Sequence, residues 1–225
     1  MPSSFVYPAQ RAASRSVTDF SPVTAPDAGR CSSVEPETER ALLQRLQLGD
    51  AAAFDSIYEH FRPRVFAFIV RMCGRRALAE DLSQEVWLRL ARHAKCLRPD
   101  TRLRPWLFTV ARNLLVSQLR GSARDAVGLD AIVQAAGLPV ATPEHLVAAQ
   151  HTYVRLERAI ASLSTDLREA LLLVSVEQLG PTEAAEVVGV RPETLRQRLS
   201  RARAQVGHAL EATERATPGT RRSSS

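Results

Sequence analysis

Arg196, Gln197, Ser200 and Arg203 carry the groups that read base edges in the major groove of duplex DNA. An Arg fork matches the two acceptors of guanine, and a Gln amide matches the donor and acceptor of adenine. The four lie in the run Thr182–Arg203, which reads as a short helix, a tight turn at Gly189 and a second helix starting near Pro192. Pro suits the first helical position, and Glu193 suits the positive N-terminal end. In the second helix Leu195, Leu199, Ala202, Val206 and Leu210 recur at three- and four-residue steps as an apolar stripe, with the four polar residues on another face. This is the pattern of a helix-turn-helix that offers its second helix to DNA. The plain alternative is an amphipathic hairpin with a solvated Arg face.

Two further clusters lie upstream. Asp81, Gln84 and Glu85 are spaced i, i+3 and i+4 and share an outward face, while Leu78, Leu82, Val86 and Leu90 point to a core. An acidic face on a basic protein suits docking to something other than nucleic acid; the bland alternative is a solvated helix face. A carboxylate metal site is the weaker reading, because Glu80, Asp81 and Glu85 have no His in register. The next segment has the opposite sign. Arg98, Arg102, Arg104, Arg112, Arg120 and Arg124 are opposed before Asp125 only by Asp100, and Trp106, Phe108 and Asn113 are interleaved. Arg neutralises phosphate and flat rings stack on unpaired bases, so this segment suits single-stranded nucleic acid. Taken singly, Trp106 and Phe108 read first as core rings.

These clusters need helices to hold them. Residues 1–36 are rich in Ser, Pro, Ala and Arg without periodicity, and read as a disordered arm. Helical patterning starts near Glu37 with Leu42, Leu43, Leu46 and Leu48, and Gly49-Asp50 interrupts it. A longer stretch from Phe54 to Met72 contains Pro63, which should kink or split it, and Gly74 should end it. A third helix is predicted from about Ala77 to Cys96, then a loop, then a fourth from about Arg104 to Arg120. Residues 37–121 form a first helical domain. Residues 122–142 are rich in Gly, Ala and Pro and read as a linker, with at most a short helix near Asp130–Ala136. Thr142-Pro143-Glu144 then opens a second domain, residues 143–212, in which Ser164 should cap an internal helix. Residues 213–225 read as a flexible tail. No strand alternation is present. The predicted fold is therefore all-α: two small helical domains joined by a flexible linker, the C-terminal one a helix-turn-helix.

Composition fits. The 225 residues carry a formal charge of +6, which favours a polyanionic partner, and no apolar run long enough to span a membrane. An N-terminal secretion signal is also lacking, so a cytoplasmic location is expected. Cys31, Cys73 and Cys96 are too few and too far apart for a disulfide or metal framework, and Cys73 and Cys96 read as small core residues.

The chain resembles the extracytoplasmic-function (group four) sigma factors of bacterial RNA polymerase over roughly Glu37 to Leu210. Three segments carry the resemblance: Ala79–Leu90 (AEDLSQEVWLRL), Pro105–Leu114 (PWLFTVARNL) and the helix-turn-helix with Arg198–Arg203 (RLSRAR). It implies that Asp81, Gln84 and Glu85 dock on the clamp helices of the polymerase β′ subunit. The loop Leu97–Arg104 and the helix after it would hold the melted −10 strand, an unpaired base being captured near the loop. Arg98, Arg102, Arg104, Trp106, Arg112, Asn113 and Arg120 are the candidate contacts. The second domain would read the −35 element with Arg196, Gln197, Ser200 and Arg203, with Arg191 and Arg201 on phosphate, and its apolar side would bind the β flap. The linker would thread toward the RNA exit channel. Such a protein needs no cofactor, is not itself an enzyme, and is often held by an anti-sigma partner. Three departures stand out: Ser117 where an acid is usual, Gly180-Pro181-Thr182 before the helix-turn-helix, where the helix start should shift, and a long N-terminal arm.

Two other classes compete. A stand-alone helix-turn-helix regulator would leave the Asp81/Gln84/Glu85 face idle. A metal-dependent nuclease finds no support in His60, His93, His145, His151 and His208, which show no ligand spacing, and no phosphate-binding or nucleophile-elbow motif is present.

Overall fold

In the computed structural model, which describes residues 36–125 and 147–216, every regular element among the described residues is helical. The chain divides into two compact units, with the boundary between Leu129 and Asp130.

The first unit holds α1 (Pro36–Gln47), α2 (Ala51–Cys73), α3 (Arg76–His93), a 3-10 turn (Ala94–Cys96) and α4 (Leu103–Asp125). Gly49 turns the chain at φ +85°, and Asp50 caps α2 by accepting from the Ala52 and Ala53 amides at 2.9 and 3.4 Å. Leu48, grouped with the helical apolar residues by sequence, lies past the end of α1 and is exposed. Of the two outcomes expected at Pro63, the split does not occur: α2 runs unbroken from Ala51 to Cys73. Pro63 sits on the solvent side, where water can satisfy the carbonyl its missing N–H leaves open, and the fully buried Phe61 and Val65 flank it. Gly74 ends the helix as expected, in the left-handed region at φ 67°.

The core gathers Ile57, Phe61, Phe68 and Ile69 of α2, Val86 and Leu90 of α3, and Leu107, Phe108 and Leu115 of α4. Phe108 meets Phe68 edge-on, with centroids 5.3 Å apart, and is a core ring. The α3 apolar face is slightly rotated from expectation: Ala79 is fully buried, while Leu78 is partly exposed. Cys73 is buried, but Cys96 faces solvent in the 3-10 turn, against its reading as a core residue. The α4 helix continues past Gly121 to Asp125 and so takes in the first residues assigned to the linker. Ser122, Ala123 and Arg124 are compatible with helix, and one internal Gly costs only about 1 kcal/mol.

The second unit holds α5 (Val147–Ala161), α6 (Thr165–Leu171) with a π turn (Leu172–Val176), α7 (Pro181–Val188) and α8 (Pro192–Ala216). Ser164 does occupy the position before α6, but its hydroxyl makes no cap bond. A different residue closes this corner. Arg168, 4% exposed, donates to the carbonyls of Ile160 at 3.1 Å, Leu163 at 2.9 Å and Ala161. One guanidinium thus gathers carbonyls from the last turn of α5 and the corner after it, the Ile160 carbonyl also accepting the Leu163 N–H at 3.2 Å. Burial pushes its pKa down from the ordinary value. Pro36, assigned to the arm by sequence, opens α1; residues 1–35, the linker beyond Asp125 including the stretch Asp130–Ala136 considered for a short helix, the Thr142-Pro143-Glu144 start and the last residues of the tail lie outside the described residues.

Candidate nucleic-acid interface

Gly180 precedes α7, and its N–H donates to the Glu183 carboxylate at 2.8 Å, so the helix starts at Pro181 despite the unusual turn sequence. Gly189 ends α7 at φ 74°, a conformation that favours Gly. Its N–H and that of Val190 return to the Ala185 carbonyl at 2.8 and 3.0 Å, which sets the turn into α8. Leu195 and Ala202 are fully buried, and Leu199 and Val206 nearly so; Leu210 is half-buried at the fading end of the stripe. Burying this stripe fixes the rotation of α8 and leaves Arg196, Gln197, Ser200, Arg201 and Arg203 exposed, with Arg191 exposed in the turn before it. Arg196 rests against Glu193 at 3.4 Å and Arg203 against the Ser175 hydroxyl at 3.3 Å. Both contacts are at the surface and weak enough to exchange for a ligand. Arg198, absent from the predicted contacts, bonds Asp166 at 2.7 Å and pins α8 to α6.

In the first unit, the Trp106 N–H donates to the Arg102 carbonyl at 3.1 Å, and Pro105 lies in the first turn, so α4 begins directly from the basic loop. Trp106, Asn113 and Arg120 recur every seven residues, two turns apart, along one side of α4. Asn113 and Arg120 are exposed and Trp106 is partly so, which leaves ring area available. Arg112 is half-buried. At the loop tip Arg98 makes a two-pronged pair with Asp100, both bonds 3.0 Å, while 82% of the Arg98 side chain stays exposed. Arg102 is exposed beside it. Arg104 differs from the rest: its side chain is 14% exposed and its guanidinium bonds Glu39 of α1 at 3.0 Å.

The three residues expected to dock lie together on α3. Asp81 and Gln84 are exposed, and Glu85 is partly so. The face is less uniformly acidic than the sequence implied: Glu85 pairs with Arg89 at 3.0 Å and Glu80 with Arg76 at 3.1 Å, so acids and arginines alternate along it. Among the described residues no helix is long and apolar enough to cross a membrane, and no group of His, Cys, Asp and Glu side chains is placed to hold a metal ion.

Comparison with known proteins agrees with this arrangement. Residues 57–125 match the family model for sigma-70 region 2, and residues 153–206 match that for sigma-70 region 4. The chain is 33% identical to the RNA polymerase sigma factor CarQ of Myxococcus xanthus, over 71% of this chain and 90% of CarQ. It is 27% identical to the RNA polymerase sigma-H factor of Pseudomonas aeruginosa, over 78% of this chain and 95% of that factor. Among solved structures, the sigma factor RpoE of Bartonella quintana, in complex with the anti-sigma factor NepR, superposes with a TM-score of 0.60 at 25% identity, covering 70% of this chain and 96% of RpoE. Two sigma regions in sequence set aside the stand-alone regulator. The chain belongs to the extracytoplasmic-function sigma factors of the sigma-70 family.

Proposed function

We propose that the protein lends promoter choice and strand opening to core RNA polymerase in the cytoplasm, adding no bond-making chemistry of its own. The second unit reads the −35 duplex with Arg196, Gln197, Ser200 and Arg203, supported on phosphate by Arg191 and Arg201, and its apolar side meets the β flap. The Leu97–Arg104 loop and the Trp106/Asn113/Arg120 side of α4, with Arg112, take the melted −10 strand. Asp81, Gln84 and Glu85 dock on the β′ clamp helices. An anti-sigma factor is a further partner, as NepR is for RpoE.

The observation that carries this reading is on α8. Its base-reading side chains are exposed together while its opposite stripe is buried, so the helix can enter a groove without disturbing the core. Arg196→Ala tests it. With core polymerase present, the substitution should change preference at one upstream base pair by about 1–3 kcal/mol. Binding to a panel of singly substituted promoters reads this directly, and an equal loss on every sequence would reassign Arg196 to phosphate.

A further inference from the structure

The proposed contacts to DNA and polymerase make no use of α1, yet α1 touches both ends of the loop assigned to the melted strand. Near its end, Gln47 Nε2 donates to the Leu97 carbonyl at 2.6 Å, where the loop begins. Near its start, the Glu39 carboxylate accepts from Arg104 at 3.0 Å, where the loop passes into α4. Glu39 and Arg104 are 13% and 14% exposed, so neither charge has much water to replace its partner. On a helix the eight-residue separation of Glu39 and Gln47 spans roughly 12 Å. Between them Leu43 and Leu46 are 1% and 4% exposed, which locks the rotation of α1 and aims both polar groups at the loop. The loop is also shaped internally by the Arg98–Asp100 pair and by the Thr101 N–H on the Arg98 carbonyl at 3.0 Å.

We propose that α1 is a strut that sets the opening of the Leu97–Arg104 loop, with Glu39 and Gln47 as positioning residues that decide which unpaired base the loop accepts without touching DNA. Arg104 is then a holder of the loop and not one of its DNA contacts. The inference rests on the reading of this loop as the −10 strand site. A loop tied at both ends presents one geometry to a base; untied, it adapts to several and discriminates less.

The experiment uses the full chain bound to core polymerase and fluorescent single-stranded oligonucleotides that carry the −10 element with each base varied in turn. Gln47→Glu keeps the shape but cannot donate to a carbonyl. It should reduce discrimination at the captured base by about tenfold, the size of one lost hydrogen bond. Gln47→Lys restores a donor on a long stem and should retain most of the discrimination, whereas a purely structural role would not separate the two variants. Glu39→Gln is the second probe, should behave like Gln47→Glu, and is checked for folding by its circular dichroism melt. Core polymerase affinity should stay unchanged in all three. An Arg98→Ala/Asp100→Ala variant checks the loop itself. If it discriminates as the wild type does, the strand-site reading and this inference both fail. If it loses discrimination while folded Gln47→Glu and Glu39→Gln keep it, the inference alone is overturned.

Discussion

Exchanging Asp81 and Glu85 together for alanine should weaken binding of core RNA polymerase by about a hundredfold while leaving the first domain folded. Two interfacial anchors worth about 1–2 kcal/mol each make up that loss. Stability should hardly change, because Asp81 is exposed and the Glu85–Arg89 pair is at the surface, where such pairs contribute about 0–1 kcal/mol. Removing Glu85 also releases Arg89 and Arg92, which lie 3.0 and 4.0 Å from its carboxylate, so the face turns from mixed to basic. The wild-type complex should weaken with rising salt, and the double variant should show a shallower dependence. Fluorescence anisotropy of labelled protein titrated with core polymerase measures both. An unchanged affinity in a folded variant would remove α3 as the docking surface.

The second large effect is on stability. Arg168→Ala should cost about 2–4 kcal/mol, because the Leu163 carbonyl and the part-buried Ala161 carbonyl lose their donor, while the Ile160 carbonyl keeps only the Leu163 N–H. That is much of the stability of a small domain, so the second unit should unfold at or near working temperature. Both tryptophans, Trp87 and Trp106, belong to the first unit. Tryptophan fluorescence should therefore keep its transition, while circular dichroism shows half of the helix melting earlier. The variant should lose −35 discrimination and keep polymerase docking. A single unshifted transition by both probes would show that the corner is satisfied without Arg168.

The two effects differ in how far sequence could foresee them. The Asp81/Gln84/Glu85 face and the exposed polar face of α8 follow from periodicity within one helix, since a buried stripe dictates what the opposite side presents. The turn residues Gly74 and Gly189 were legible because their backbone conformation favours one residue type. Arg168 was not legible: an Arg beside Asp166 and Glu169 reads as a solvated helix charge, and only the packed corner shows three carbonyls converging on it. Glu39 meets Arg104 across 65 residues and Gln47 meets Leu97 across 50, and no local pattern announces such pairs. Pro63 shows the opposite failure. A local signal that could split the helix was overridden by the buried residues flanking it, which hold α2 in one piece. Cys96 was misplaced for a related reason, because a buried residue type at the end of a helix gives no clue that a 3-10 turn rotates it outward.

The most direct test is run-off transcription with purified core RNA polymerase on a genomic promoter library, with and without the protein. New protein-dependent start sites are expected, and their aligned upstream sequences should contain two elements, one duplex and one opened. The duplex element should change with Arg196 and the opened element with the Arg98–Asp100 loop tip. No polymerase binding and no new transcripts, from protein shown to be folded, would contradict the account.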